Sequence, residues 1–276
     1  MVTAPECETL LLENKGSVLH LTLNRAKARN AMSLKMVHEL NAVCEWLETD
    51  SGVRAVVIRG AGGHFCAGGD IKDMAQARAL AMSGEAGDQD PYFDLNRVFG
   101  QMIHRVERLP QVVLAVLEGA ILGGGFGLAS VCDIGIVHDE AKLGMPETTL
   151  GLIPAQIAPF VVRRIGLTQA RRLALLGNKI NGREAVDVGI AHYGFSSDQE
   201  LAELLEKILG SINRCAPGAN AKTKALMLDV DVRPLDEVLE EAAQLFSQAV
   251  QGSEGFEGTM AFIEKRSPKW AEEKGS

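Results

Sequence analysis

One glutamate and two glycine-rich turns are the parts of this sequence best suited to chemistry. The turns are HFCAGGD, His64 to Asp70, and ILGGGFGLASVCD, residues 121–133; the glutamate is Glu147, in Met145-Pro146-Glu147-Thr148. Glycine costs roughly 1 kcal/mol relative to alanine inside a helix, so a cluster at a helix start must serve another end. Each turn follows a strand pattern and opens into a helix pattern. The first N–H groups of a helix have no internal partner, and a residue without Cβ lets a ligand come close to them. They also carry the helix's partial positive charge. Two such ends facing one pocket would give a developing oxyanion two donors, each worth about 2.7–4 kcal/mol in the transition state. The competing reading is that glycine clusters serve tight turns or close backbone packing. No Gly-Lys-Ser/Thr follows either turn, which excludes a P-loop, and the spacing of a dinucleotide fingerprint is missing.

Glu147 follows a proline at a helix start, where a carboxylate is favoured electrostatically and position alone requires no further role of it. Asp70 reads as a helix-start residue that stabilises its own turn. His20, His38, His104, His138 and His192 form no arrangement that would serve a nucleophile or a metal, and His64 reads as a packing residue of the first turn.

The surrounding elements alternate. ETLLLEN and SVLHLTLN read as two strands joined by a Lys-Gly turn, and RAVVIRG, QVVLAVLEG and DIGIVHD as three more. From Ser33, a plausible N-cap, to Glu48, Met36, Val37, Leu40, Val43, Cys44 and Leu47 recur at helical spacing. Strands alternating with helices imply parallel pairing through crossovers. Residues 75–92 are weakly patterned and read as a mobile loop or frayed helix. Beyond about residue 155 strand signals nearly vanish; Leu201, Leu204, Leu205, Ile208, Leu209 and Ile212 line one helical face, and Pro217 and Pro234 introduce two further helices. The expected architecture is an α/β core over 1–195 with a helical region over 196–276.

Bulk properties narrow the partners. The chain has 276 residues with a net charge of −8 and no basic run, which argues against nucleic acid or an anionic membrane. Gly119 to Cys132, the longest uncharged run of the apolar middle, is too short to span a bilayer. The N-terminus lacks the pattern of a secretory signal. Five cysteines, widely spaced and without a Cys-x-x-Cys pair, argue against a disulfide framework or a zinc site. A cytoplasmic protein without a metal is expected.

FCAGGDIKDM and ILGGGFGLASVCD together resemble the two signature segments of the enoyl-CoA hydratase/isomerase (crotonase) superfamily. LNRAKARNAMS is similar to its N-terminal segment, with Ala26 where proline is usual; MPETTLGLIP is similar to its third segment and EGTMAFIEKRSPKW to its C-terminal end. The resemblance implies a spiral of repeated β-β-α units with a helical C-terminal trimerisation region, assembled as a homotrimer or a hexamer of two trimers. It implies that the N–H groups of Gly69 and Gly124 hold a thioester oxygen, with Glu147 as acid/base. The Ala67 carbonyl would meet the adenine of coenzyme A. Lys72, and Lys265 from a neighbouring subunit, would meet phosphates, and Lys27 is a further coenzyme A contact. No cofactor is implied beyond the coenzyme A of an acyl-CoA substrate.

The chain departs from the family pattern at one place. Many of these hydratases carry a second glutamate directly after the GGG-x motif, where this sequence has Gly127. A single carboxylate suits hydration and also suits Δ3,Δ2-enoyl-CoA isomerisation, which needs one base. Hydrolysis, or thioester binding without catalysis, are the other readings of the same scaffold. Pro154-Ala155-Gln156-Ile157-Ala158-Pro159-Phe160 resembles the bacterial hydratases of branched glutaconyl thioesters, those of leucine breakdown and of acyclic terpene breakdown. In such a substrate, glycine at 127 is expected to leave room beside the branch and to keep a second negative charge away from the substrate carboxylate.

Overall fold

The computed structural model describes residues 3–49, 52–83, 87, 90–230 and 232–271. Strands β1 (Leu10–Lys15) and β2 (Val18–Leu23) form an antiparallel hairpin whose turn places Gly16 at φ 60°. Helix α1 (Leu34–Thr49) follows, and the Ser33 hydroxyl accepts the Met36 N–H at 3.2 Å, as the N-cap reading requires. All six residues at helical spacing are buried. Then come β3 (Ala55–Gly60), α2 (Ile71–Ser83), α3 (Pro91–Glu107), β4 (Val112–Leu117), β5 (Ala120–Leu122), α4 (Gly124–Val131), β6 (Ile134–His138) and β7 (Lys142–Gly144). The remainder is α5 (Ala158–Leu176), β8 (Lys179–Ile180), α6 (Gly182–Asp187), β9 (Tyr193–Phe195), α7 (Asp198–Arg214), α8 (Pro217–Asp229), α9 (Leu235–Gln251) and α10 (Ser253–Glu264).

The larger sheet has the order β1-β2-β3-β4-β6-β9 and is parallel from β2 onward. Its central strands are covered on both sides, which explains their unbroken apolar runs. Val56, Ile58, Val113 and Leu117 join the main core beneath the first helices, whereas Val57, Leu114 and Val116 face Leu201, Ile208 and Ile212 of α7. The smaller sheet, β5-β7-β8, is where the two glycine turns meet. Single parallel bridges pair Cys66 with Ile121 and Met32 with Gly69, so residues 66–69 lie beside β5.

One expectation is resolved between its two alternatives, and another changes. The first part of the weakly patterned stretch is helical as far as Ser83, and a second helix starts at Pro91, with the Asp90 carboxylate accepting the Tyr92 and Phe93 N–H groups; residues 84–86 and 88–89 lie outside the described residues. Strands β8 and β9 also follow residue 155. Both are very short and rely on neighbouring strands for their hydrogen bonds.

The first glycine turn is braced from the segment LNRAKARNAMS. Asn30 is fully buried; its Oδ1 accepts the Arg25 N–H at 2.8 Å, and its Nδ2 donates to the carbonyls of Ala61 (2.9 Å) and His64 (2.6 Å). Truncating it strands buried polar groups at about 1–3 kcal/mol each. Asn30→Ala is therefore expected to cost at least about 2 kcal/mol of stability, read as a lowered unfolding midpoint.

Candidate active site

At the first turn the N–H groups of Gly68 and Gly69 have no hydrogen-bond partner among the described residues, and the second of them lies at the exposed position. The Met32 N–H donates to the Gly68 carbonyl at 2.8 Å, and the Asp70 N–H donates to the Met32 carbonyl at 3.1 Å. Met32 thus makes both bonds of the bridge, and the N–H of Gly69 faces the opposite side. It has no hydrogen-bond partner among the described residues, and Gly69 is exposed. Gly68, at φ 110°, is the residue that permits this twist.

The second turn leaves another. Gly123 is the N-cap of α4, with φ 51° and ψ −118°, a conformation open in practice to glycine alone. Its N–H donates to the Gly144 carbonyl at 3.0 Å, and its carbonyl accepts the Gly127 N–H at 3.0 Å. Gly124 is the first helical residue, so its N–H belongs to the unpaired set of a helix start, and no partner for it occurs among the described residues.

Glu147 stands between the turns. A Cβ placed on Gly123 would lie 3.0 Å from Glu147 Oε1 and 3.7 Å from Gly68 Cα, which brings the two turns and the carboxylate into one small volume. The 3-10 turn Glu147–Leu150 that presents this side chain is anchored by the Thr148 hydroxyl, which donates to the Ala174 carbonyl of α5 at 2.8 Å. Glu147 Oε2 is buried and has no hydrogen-bond partner among the described residues. Burial raises the Glu147 carboxyl above its ordinary range, partly offset by a hydrogen bond from its own backbone N–H. A carboxylate destabilised in this way is a better base. The sign for stability follows: the raised group favours the folded state at low pH, and this contribution is lost as pH rises through the folded-state value. The acidic limb of the pH–rate profile is expected above the ordinary glutamate value of about 4.3. Glu147→Gln should abolish that limb.

Gly127 departs from the expectation placed on it. A Cβ there would lie 2.2 Å from Ile157 Cγ2 and 2.8 Å from Ile157 Cβ. The space that glycine frees is filled by Ile157, so it is not available to a substrate branch. Gly127→Glu is then expected to destabilise the fold by about 1–3 kcal/mol through overpacking, and relief by Ile157→Ala in the double variant, read as a recovered unfolding midpoint, checks the pairing.

The remaining candidates fall into place unequally. Asp70 holds its own turn: its Oδ1 accepts the Lys72 N–H at 2.8 Å and its Oδ2 pairs with Arg25 at 2.5 Å. His64 Nδ1 accepts the Ala120 N–H at 3.1 Å, tying the first turn to β5. Ala67 is half-buried directly before Gly68. Lys72 is exposed in the first turn of α2, and Lys27 is exposed in a 3-10 turn, Ala26–Ala28, ahead of Asn30. Lys265 is exposed at the C-cap of α10, a helix that packs chiefly on α9; within one chain it is not gathered with the glycine turns. Phe99 of α3 is a wall residue that no sequence signal marked: its ring lies 3.2 Å from where a Cβ of Gly124 would stand.

Two free amides beside a half-buried carboxylate, one of whose oxygens is buried without a partner among the described residues, make a site for polarising a carbonyl and moving a proton next to it. The chain belongs to the enoyl-CoA hydratase/isomerase family, which matches residues 13–273. It is similar to Pseudomonas aeruginosa AtuE, a solved structure with 54% identity and a TM-score of 0.92, covering 96% of this chain and 100% of that one. The mitochondrial methylglutaconyl-CoA hydratase of Mus musculus is 32% identical, over 94% of this chain and 80% of that protein. The 2,3-dehydroadipyl-CoA hydratase of Escherichia coli K12 is 30% identical, over 94% and 97%. The protein is an enzyme of the hydratase type, a lyase acting on an enoyl-CoA thioester.

Proposed function

We propose that this enzyme adds water across the double bond of a branched glutaconyl-type acyl-CoA, using Glu147 as its single acid/base. The observation behind the reading is the buried Oε2 of Glu147, without a partner among the described residues, beside the open amides of Gly69 and Gly124. The amides polarise the thioester oxygen and hold the enolate that forms. Glu147 takes a proton from water as the water oxygen bonds to the β carbon, and the same carboxyl then gives that proton to the α carbon of the enolate, which completes the addition and regenerates the carboxylate. The segment 154–160 and the similarity to a methylglutaconyl-CoA hydratase support a substrate of this class, with the isohexenyl and methyl branched forms as the two candidates.

The coenzyme A would lie with its adenine at the Ala67 carbonyl and its phosphates near Lys72, Lys27 and Lys265 of a neighbouring subunit. Exposed Leu239 and Phe246 on α9 and exposed Phe256, Phe262 and Ile263 on α10 support assembly as a trimer or hexamer. The absence of basic runs supports a small-molecule substrate rather than nucleic acid, and cysteine usage supports a cytoplasmic enzyme.

Incubation with crotonyl-, 3-enoyl- and 3-methylglutaconyl-CoA, followed by mass analysis, tests the reading. A gain of about 18 mass units on the glutaconyl thioester is expected. Unchanged mass with a shifted double bond would mark an isomerase, for which one base suffices. Free coenzyme A would mark a hydrolase, and no change at all a binder.

A further inference from the structure

The first glycine turn and β5 run side by side as a short parallel ladder, and one of its rungs is a side chain. The Cys66 N–H donates to the Ala120 carbonyl at 3.0 Å, and the Leu122 N–H donates to the Cys66 carbonyl at 3.0 Å. The same pattern carried one step back would send the Ala120 N–H to the carbonyl of His64. That carbonyl is already taken by Asn30 Nδ2, at 2.6 Å. The Ala120 N–H donates instead to His64 Nδ1, at 3.1 Å. Ala120 is buried, so losing this acceptor would leave its N–H without a partner and away from water. The backbone opposite is cut away to admit the ring. Gly119 stands at φ 58°, and a Cβ there would lie 2.4 Å from His64 Nδ1, 3.1 Å from its Cε1 and 2.2 Å from the Gly63 carbonyl oxygen. Both open amides lie at the far end of this ladder: Gly69 follows Cys66 through Ala67 and Gly68, and Gly124 follows Leu122 through Gly123.

We infer that His64 is a positioning residue for the oxyanion site: its Nδ1 lone pair fixes β5 against residues 64–69 and so sets the spacing of the Gly69 and Gly124 amides. The inference rests on the two-amide reading above and deepens it by naming the side chain that holds the two donors in step. Asparagine and leucine separate the acceptor from the bulk. Asparagine offers an oxygen at about the place of Nδ1, and leucine has the shape of asparagine without an acceptor.

The probe is butyryl-CoA, isotope-labelled at the thioester carbonyl carbon and bound to the full-length wild type, His64→Asn and His64→Leu, with the carbonyl stretch read by infrared difference spectroscopy. Two donors on one oxygen lower that frequency. The wild type and His64→Asn are expected to show the same downshift, and His64→Leu a smaller one. In hydration of 3-methylglutaconyl-CoA, His64→Leu should lose about tenfold to a hundredfold in kcat with KM within about threefold, because misplaced donors fail mainly in the transition state. A lost packing contact alone would lower the unfolding midpoint without moving the band. A full downshift in His64→Leu, or equal losses in both variants, overturns the inference. Where the leucine variant does not fold, His64→Asn decides alone: a retained downshift upholds the role of the acceptor and a lost one refutes it. An unshifted band in the wild type refutes the two-amide reading itself, and this inference with it. The band is read without turnover, so a protein with the expected pattern that hydrates nothing refutes the hydratase reading and leaves the role of His64 standing.

Discussion

Glu147→Gln is expected to lower kcat for hydration at least about a hundredfold, the low end for general acid–base work, with little change in thioester affinity. Glutamine keeps the shape of the side chain at its place beside Gly123 but cannot take a proton from water. The amides of Gly69 and Gly124 are main-chain groups set by the bridge at Met32 and the start of α4, so the carbonyl should still be held and polarised. The unfolding midpoint should rise or stay level, because the substitution removes a carboxylate that burial disfavours in its charged form. Steady-state kinetics and thermal unfolding on one preparation read both effects. A variant with full activity would remove Glu147 from the mechanism.

Gly125→Ala is expected to damage the oxyanion site without touching any group that contacts substrate. An added Cβ would stand 2.4 Å from the Cys66 carbonyl oxygen and 2.7 Å from Cys66 Cβ. Neither neighbour can yield easily: the Cys66 carbonyl accepts the Leu122 N–H at 3.0 Å, and its N–H donates to the Ala120 carbonyl at 3.0 Å. The methyl group must therefore drive the two glycine turns apart. Misplacing one donor is expected to cost about 10²–10³ in kcat, with about 1–3 kcal/mol of lost stability from overpacking. Gly69→Ala is the contrast, since a Cβ there meets nothing within 4 Å and leaves the fold intact. Equal unfolding midpoints for Gly125→Ala and wild type would show that the turns are not in this contact.

Much of the scaffold is legible because local pattern and final burial agree. The stripe from Met36 to Leu47 is the buried face of α1, and the runs 55–58 of β3 and 112–117 of β4 are apolar because helices cover both sides of that sheet. Helix α2 hides from such reading. Of its residues only Ala77 is buried, while Ile71 and Met82 are largely exposed, so no apolar stripe marks it. Glu147 and the two glycine turns are legible by type and context. Their convergence is not, because it depends on isolated bridges between segments far apart in the chain. The role of Gly127 was hidden for the same reason. Only the fold brings Ile157 against it and turns an apparent vacancy for substrate into a filled socket.

The central claim is that the amides of Gly69 and Gly124 meet on one thioester oxygen beside Glu147. A crystal structure of the enzyme with a bound saturated acyl-CoA tests it most directly. The oxygen is expected about 2.7–3.1 Å from both nitrogens, with the acyl β carbon facing the Glu147 carboxylate. A thioester oxygen bonded to only one of these amides, or an acyl chain led away from Glu147, would contradict the account.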